Sequence, residues 1–512
     1  MILSPIPTPI IFSWRCTSLP RYPWLREGCN VIVASQSGYR TIANSVAYAV
    51  LLGWPVVATV LFLLLPLEAA AAWSLLGGYF LLPSGFKVDL PLLPPIDKSS
   101  VTVVSTLILC LAKGSPRPRH APGMFLPVAA AAYVLAPIGA TFGNSYELHV
   151  GNLSVPGYYL LDGLKTAIDN LVTVSALYLG LRFLSTPNGQ RVLLKVLVTV
   201  VVLYSLPMIF ELRFSPQLHR LVYGFEASPF ISQVRTGGYR PTVFMNQGLE
   251  LALLVAMALI AACTLARCRI KLFHFPAWLT ASYLVPELAA CKTLGAAIYA
   301  VTLAPLAVFA RPSTSIKVAS AVMLLVCAYP ALRTQQLIPV EKVLGAAKSV
   351  SEQRADSFAT RLRNEHILIA KANEKPMFGW GAWGRNRVYD PAYGKDVTIT
   401  DGGWIIVFGM NGWAGYLGLF GMFAIPVLRL NRTVKRLDRK DALIAAGLAL
   451  MLAANVADML PNANLMPLTF VIAGSIARRT VVSRATRRTE RSADSKALEP
   501  VSEPVAANVA QA

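Results

Sequence analysis

Apolar stretches of about 17 to 25 residues recur along this chain, and each is long enough to cross the hydrocarbon core of a bilayer as a helix. Of its 512 residues, 55% are hydrophobic and 14% are charged. The sequence therefore predicts an all-α polytopic membrane protein.

The formal net charge of +21 is large, and in a soluble domain it would suggest binding to nucleic acid. Here the cations gather in short segments between the apolar stretches and in the C-terminal tail. Anionic lipids are the expected partner of these segments, and nucleic acid is not.

The basic connectors also orient the helices, because short loops rich in Lys and Arg stay in the cytoplasm. They are Lys113 to His120, Arg182 to Arg191, Arg267 to Lys271, Arg311 to Lys317 and Arg429 to Lys440. With these segments inside, the polar segment 335–400 lies outside. The block Ile42 to Pro83 forms either one span with a re-entrant piece or two tight spans. We therefore predict about 12 helices (12 or 13), with the N-terminus outside if there are 13.

Five regions follow from this pattern. Residues 1–41 are a leader, which we expect to be disordered and which lacks the features of a cleaved signal peptide. Residues 42–334 carry the N-terminal transmembrane helices, 335–401 form one large external loop, and 402–477 carry the C-terminal transmembrane helices. Residues 478–512 are polar and basic, which favours a disordered cytoplasmic tail.

Several kinds of chemistry find no support in the sequence. It contains no GxxxxGK[ST] phosphate loop and no GxSxG elbow, and its five histidines do not have the spacing of metal ligands. No Cys-x-x-Cys pair occurs among the seven cysteines, so we expect buried free thiols. We predict neither a metal nor a cofactor.

The external loop contains the pattern of an amphipathic helix. Phe358, Leu362 and Ile369 recur at steps of 4 and 7, which forms one apolar stripe. Arg361 and Glu365 lie on another face, four residues apart, and are placed to pair with each other. Ordinary solvated charges on a surface helix explain these two residues equally well.

Arg240 lies where an external loop turns into a span, in the segment Gly237 to Asn246. An arginine at this position offers a planar, permanently charged fork to a phosphate at the bilayer surface. Interfacial snorkelling of the side chain is the alternative.

Asp401 opens the span that follows the external loop. It is a plausible N-cap of that helix. A carboxylate beside cations in a partly dry site can also act as a base. Both interpretations stay open.

Glycines punctuate the end of the loop and the span after it, at Pro376 to Gly381, Thr400 to Trp404 and Gly412 to Gly415. We expect the chemistry of the protein here, where titratable groups and loop glycines lie above a membrane helix. Within the span the glycines recur at every third residue, which favours close helix packing over ligand contact. They are Gly409, Gly412, Gly415, Gly418 and Gly421.

Four loose motifs occur in a specific order. They are Arg-Pro-x-x-Phe-x-Asn at Arg240 to Asn246, Ser-x-x-x-Arg-Leu at Ser357 to Leu362, Pro-x-x-Gly-x-Gly at Pro376 to Gly381, and Asp401-Gly402 ahead of Gly-x-x-Gly at Gly412 to Gly415. Over roughly residues 200–475 this order resembles the bacterial O-antigen ligase and O-antigen polymerase superfamily.

The resemblance implies a metal-independent glycosyltransferase of the bacterial inner membrane, with its large loop in the periplasm and an undecaprenyl-pyrophosphate-linked glycan as donor. Arg240 and Arg361 would bind the pyrophosphate, and Asp401 would be the base that activates the acceptor hydroxyl. A chain-length regulator is a further expected partner. Additional substrate-binding candidates are Asn246, Lys292, Arg363, Trp383 and Trp404; the tryptophans also fit an interfacial aromatic belt.

One departure from the family bears on the reaction. Ligases of this superfamily usually place a histidine and a small polar residue where this chain has Asp401-Gly402. This favours a polymerase of O-antigen or exopolysaccharide repeat units over a ligase that transfers glycan to a lipid A core. Two interpretations from other classes also stay open, namely a transporter of lipid-linked glycans and a non-catalytic scaffold of an export complex. A transporter would predict an internal repeat, which the sequence does not clearly show.

Overall fold

The computed structural model describes residues 43–89, 95–114, 123–235, 237–337, 345 and 352–477, and most of them are helical. The helices are α1 Ser45–Leu64, α2 Leu67–Leu81, α3 Lys98–Lys113, α4 Phe125–Thr141, α5 Leu160–Phe183, α6 Pro187–Phe214, α7 Leu218–Tyr223, α8 Gly248–Arg267, α9 Ala277–Ala290, α10 Leu294–Phe309, α11 Pro312–Thr334, α12 Glu352–Asn373, α13 Gly403–Thr433, α14 Arg439–Asp458 and α15 Pro467–Ala477. Three antiparallel hairpins pair β1 Leu148–Val150 with β2 Leu153–Val155, β3 Val234–Arg235 with β4 Gly238–Tyr239, and β5 Lys271–Leu272 with β6 Phe275–Pro276.

Six of these helices are long and apolar enough to cross a membrane, namely α1, α6, α8, α11, α13 and α14. The shorter apolar helices α4, α10 and α15 lie beside them. Helices α8 and α14 are almost wholly buried in the bundle, whereas α1 leaves Leu63 and Leu64 more than 70% exposed. An apolar surface of this kind is suited to lipid. The predicted all-α membrane fold is confirmed, while the number of crossings stays a prediction.

The bundle has two distinct ends. At one end, the loops before α3, α8, α13 and α15 surround a single cavity, and we call this the loop end. At the other, the basic end, Lys113 donates to the carbonyl of Phe62 at 2.5 Å and Arg191 pairs with Asp441 at 3.0 Å. The described part of the block Ile42 to Pro83 forms two helices, α1 and α2, which are separated by Pro66 near the basic end. Their other ends both contact Tyr223 at the loop end.

Helix α12 confirms the amphipathic helix that was predicted from the spacing of apolar residues. Leu362, Leu368 and Ile369 are buried along one face, as the spacing of the apolar residues requires. The side chains of Phe358 and Ser357 lie outside the described residues, as do the predicted leader and tail.

Helix α13 is broken at Gly412, whose φ of 59° and ψ of −161° are not helical. The segment Pro376 to Gly381 packs against this break. It forms hydrogen bonds with backbone groups of α13 that lack their usual helical partners. Trp413 N donates to Pro376 O at 2.7 Å, Ala414 N to Met377 O at 3.0 Å, Trp380 N to Gly409 O at 2.9 Å, and Gly381 N to Met410 O at 2.9 Å. We call this arrangement the interlock. Irregular backbone at membrane depth is tolerated when protein groups satisfy it in this way.

The interlock gives the glycine motifs a structural role. A Cβ on Gly379 would lie 2.5 Å from the carbonyl carbon of Met410, and one on Gly412 would lie 2.5 Å from that of Met377. Neither glycine belongs to the wall of the cavity at the loop end. Pro376 to Gly381 therefore fixes the loop on the helix, and the expectation that these motifs carry the chemistry stays a prediction.

We expect Gly412→Ala to destabilise the protein strongly. The backbone angles of Gly412 are essentially restricted to glycine, at a cost of about 1–3 kcal/mol for other residues, and the new methyl group would also collide with Met377. Gly421→Ala in the same helix is the control, because its Cβ would meet nothing closer than 3.6 Å. Thermal unfolding of the purified protein in detergent measures both variants. Equal melting temperatures would contradict the interlock.

Candidate functional site

The cavity at the loop end, which we call the main cavity, has a volume of 640 Å³. This size falls within the range of about 300–1,000 Å³ that is typical of small-molecule sites. Its wall is rich in charged and amide side chains. They are Lys87, Asp97, Lys98, Asn246, Gln247, Glu250, Arg361, Arg387, Asp401, Asn462 and Asn464.

The structure brings Arg361 and Asp401 together in this wall. Arg361 Nε donates to Asp401 Oδ2 at 3.1 Å, and both side chains are partly exposed, at 33% and 41%. Only Nε is used, so the two terminal nitrogens of Arg361 have no hydrogen-bond partner in the part of the chain that the structure describes. The pair thus keeps donors free toward the cavity.

Asp401 is not the N-cap of α13, and that interpretation is wrong. The N-cap is Gly402, which makes no side-chain hydrogen bond. The first backbone N–H groups of α13 donate instead to carbonyls of the turn between α14 and α15, from Gly403 to Asn462 at 3.0 Å and from Trp404 to Met459 at 3.1 Å. Because these carbonyls already satisfy the helix end, the carboxylate of Asp401 is available to Arg361.

Arg240 lies behind the cavity and is not part of its wall. Its side chain is only 6% exposed and packs over Gly248, where an added Cβ would lie 2.3 Å from Arg240 Cδ. Within the described residues its guanidinium has no hydrogen-bond or ion-pair partner. Burial, with smaller effects of the positive charges of Arg235 and Arg361, lowers the pKa of Arg240 to about 10. Arg240 is therefore within electrostatic range of Arg361.

Glu211, at the end of α6, holds the segment that follows Arg240. Its carboxylate accepts hydrogen bonds from the backbone N–H groups of Thr242 and Val243, both at 2.7 Å, and of Leu218 at 3.1 Å. Val243 has a φ of 52°, which is unfavourable for a β-branched residue. Charge-assisted hydrogen bonds of this kind stabilise the strained turn. Glu211 is not among the residues predicted from the sequence, where its only signal is a carboxylate at the end of an apolar span.

A second missed residue, Lys98, lies in the wall of the main cavity. Lys98 Nζ donates to Ser84 Oγ at 2.6 Å and lies 3.8 Å from Glu250 Oε1. It also lies 4.2 Å from the centre of the Tyr79 ring, whose hydroxyl donates to Glu250. Lys98 and Glu250 are 10% and 7% exposed, so the pair is held in a nearly dry environment.

His219 in α7 is a neutral support of this network. Its Nε2 accepts from Ser84 N at 3.2 Å, and its Nδ1 donates to Phe225 O at 2.8 Å. Burial, with a smaller effect of the Lys98 charge, lowers the pKa of His219 to about 4. The imidazole therefore stays uncharged at neutral pH.

We expect this histidine to make stability depend on pH. The unfolded chain binds a proton at His219 near pH 6.5, whereas the folded chain does so only near pH 4. The stabilisation is therefore complete above pH 6.5 and is lost as the pH falls from 6.5 to 4. Melting temperatures in detergent across this range should fall less steeply for His219→Gln than for the unmodified protein. Parallel curves would show that His219 does not contribute.

Glu365 does not pair with Arg361, and that expectation is wrong. It pairs with the buried Arg333 of α11 at 3.4 Å and accepts hydrogen bonds from Tyr329 and Trp404 at 3.2 and 3.3 Å. Burial raises the pKa of Glu365 in spite of these partners. Helices α11, α12 and α13 meet at this point, so Glu365 forms its ion pair with the buried Arg333 and not with Arg361.

The predicted substrate-binding role of Trp404 is wrong, because its ring offers no free face to a substrate. The ring is fully buried, and it packs edge-on against Tyr329 with the ring centres 4.8 Å apart. The indole is buried because α11, α12 and α13 meet at this position and enclose it.

The remaining candidates divide between the cavity and other places. Asn246 lines the main cavity. Lys292 does not, because its Nζ donates to Gly237 O at 2.5 Å and ties the turn between α9 and α10 to the β3–β4 hairpin. Arg363 and Trp383 are exposed and also lie outside the cavity wall. Their substrate-binding roles stay predictions.

Within the described residues, no group of three His, Cys, Asp or Glu side chains is placed to hold a metal ion. The five described cysteines are free. In comparisons with known proteins, no family model matches this sequence and no curated protein is significantly similar to it. The candidate site therefore rests on the geometry around Arg361 and Asp401.

Proposed function

We propose that this chain is a membrane glycosyltransferase that polymerises undecaprenyl-pyrophosphate-linked repeat units of O-antigen or exopolysaccharide at the periplasmic face. The observation that carries the proposal is the Arg361–Asp401 pair in the wall of a cavity that also presents Lys87, Lys98 and Arg387. Cations suit a diphosphate, and a carboxylate beside them suits a base.

The reaction follows from these roles. The acceptor hydroxyl gives its proton to the carboxylate of Asp401 as its oxygen forms a bond to the anomeric carbon of the donor sugar. The bond between that carbon and the pyrophosphate oxygen breaks, and undecaprenyl pyrophosphate leaves with the electron pair. Arg361 and Lys98 stabilise the negative charge that grows on the leaving group.

Arg240 has a supporting role in this proposal. Its buried, unpartnered charge lies near Arg361 and adds to the positive potential around the diphosphate without lining the main cavity. Charges in a poorly solvated environment act over longer distances than they do in water.

The membrane orientation of the proposal comes from the charge distribution. Lys113, Arg191 and Arg439 belong to the basic end of the bundle, which the positive-inside rule places in the cytoplasm. The loop end then faces the periplasm, where the donor is presented. With α1 and α2 as two separate crossings, the described helices would form 13 spans, which corresponds to the predicted arrangement with an external N-terminus.

Reconstitution tests the proposal. Purified protein in liposomes, given only lipid-linked repeat units, is expected to lengthen the glycans, and gel electrophoresis of the labelled products measures this. A transporter would move the lipid across the bilayer without lengthening its glycan, and a scaffold would do neither. A ligase would need a lipid A core as acceptor. Any of these three results would contradict a polymerase.

A further inference from the structure

A second cavity, of 280 Å³, adjoins the Arg361–Asp401 pair, and we call it the rear cavity. It is enclosed by α10, α11, α12, α13 and α14. Arg361, Ile399 and Asp401 belong to the walls of both cavities. The ion pair is therefore a partition between two spaces, and each space has access to the same carboxylate.

The two cavities differ in charge. The main cavity adds Lys87, Lys98 and Arg387 to the shared Arg361. In the described residues, the wall of the rear cavity adds no further cation; its additional polar side chains are Tyr299, Tyr329 and Glu365, among leucines and other apolar groups. A diphosphate fits the first environment. A small neutral ring with hydroxyl groups fits the second, because tyrosines offer both an apolar face and a hydrogen bond.

Two polar groups of the rear cavity have unused hydrogen-bonding capacity. Tyr329 donates to Glu365 and is fixed by it. The Tyr299 hydroxyl, in contrast, has no hydrogen-bond partner within the described residues, and neither has Oδ1 of Asp401, which uses only Oδ2 for Arg361. A free donor and a free acceptor thus face a space large enough for about one sugar ring.

We propose that the rear cavity binds the terminal sugar of the acceptor glycan and presents its hydroxyl to Oδ1 of Asp401, while the main cavity holds the diphosphate of the donor. This rests on the proposed function. The acceptor oxygen then reaches the anomeric carbon from one side of the partition, its proton passes to Asp401, and the pyrophosphate leaves on the other side with the electron pair.

Two substrate analogues separate the cavities. A repeat unit joined to the lipid through a methylene phosphonate can accept but cannot donate, and a repeat unit whose accepting hydroxyl is methylated can donate but cannot accept. Ala457 lines only the rear cavity, and Ala463 lines only the main cavity. We expect Ala457→Leu to raise the KM of the acceptor analogue about tenfold or more while leaving that of the donor analogue unchanged, and Ala463→Leu to do the reverse.

A binding assay makes the test independent of transfer. Saturation-transfer NMR follows the methyl glycoside of the source strain's repeat unit, which carries neither lipid nor phosphate. It should bind to the unmodified protein and to Ala463→Leu, and bind much more weakly to Ala457→Leu. If Ala457→Leu does not fold, Tyr299→Phe replaces it, with an expected weakening of about fivefold.

The outcomes distinguish the two proposals. Glycoside binding that Ala457→Leu abolishes, without any transfer by the unmodified protein, would overturn the proposed function and support the sugar site. Transfer with an unchanged acceptor KM in both Ala457→Leu and Tyr299→Phe would overturn the rear cavity as the acceptor site. So would an effect of these variants on the donor analogue alone, since the occupant would then be part of the donor.

Discussion

Arg361→Ala is expected to reduce glycan transfer at least about a hundredfold, which is the usual cost of removing a group that stabilises charge in a transition state. Arg361 both contacts Asp401 and keeps two donors free toward the main cavity. Its loss removes the leaving-group cation and also leaves the base without its partner. The length of polymer made in cells and the rate of the reconstituted protein both measure the effect.

Arg220→Ala is the matched control. It removes the same kind of side chain from α7 at the loop end, where the side chain is 70% exposed and outside both cavities. We expect its rate to stay within about twofold of the unmodified protein, since isolated surface charges contribute little. Equal losses in the two variants would contradict the assigned role of Arg361.

Asp401→Asn completes this first test. Asparagine keeps the size of the side chain and an oxygen for Arg361, but it cannot take up the proton of the acceptor hydroxyl. The loss of a general base typically costs a factor of about 10²–10⁴, and the melting temperature should change little because Asp401 is 41% exposed. An active Asp401→Asn protein would exclude this residue as the base.

The second large effect is expected on stability. Lys98→Met leaves Glu250 buried with Tyr79 as its remaining side-chain donor, and breaking a buried pair from one side commonly costs about 3–5 kcal/mol. The double variant Lys98→Met/Glu250→Gln carries no unpaired charge and should regain most of the melting temperature. It should not regain transfer, because the cation beside the main cavity is still missing.

An exposed ion pair provides the comparison for this prediction. Arg220 and Glu226 lie 3.7 Å apart with side chains 70% and 43% exposed, so Arg220→Ala is expected to cost at most about 1 kcal/mol. Thermal unfolding in detergent places the variants on one scale. If Lys98→Met is no more harmful than Arg220→Ala, or if the double variant is no more stable than the single one, the buried pair is not a coupled unit.

Local sequence patterns predicted the features that depend on residues close together in the chain. The apolar period located α12 and the face that it buries, and the polar positions at the loop end pointed to Arg361 and Asp401. The interaction partners of these side chains were harder to predict from the sequence. Helical spacing suggested that Arg361 pairs with Glu365, because it shows which residues share a face but not that Arg333 from α11 reaches the same carboxylate.

The missed residues share a physical reason. Lys98 begins α3, a position where the helix dipole disfavours a cation, and only its contacts with Ser84 and Glu250 explain it. In the sequence, Glu211 resembles any charged residue at the end of a span. The structure shows that its carboxylate accepts hydrogen bonds from the backbone N–H groups that follow Arg240. Each depends on segments far apart in the chain, which a pattern over neighbouring residues does not contain.

The interlock has a consequence for how the protein is made. Pro376 to Gly381 is synthesised before the second half of α13, whose Trp413 and Ala414 amides donate to Pro376 and Met377. We therefore expect the broken form of α13 to be reached only after this segment has docked on the helix. A chain that lacks the segment would leave these two amides without their protein partners, which is unfavourable in hydrocarbon.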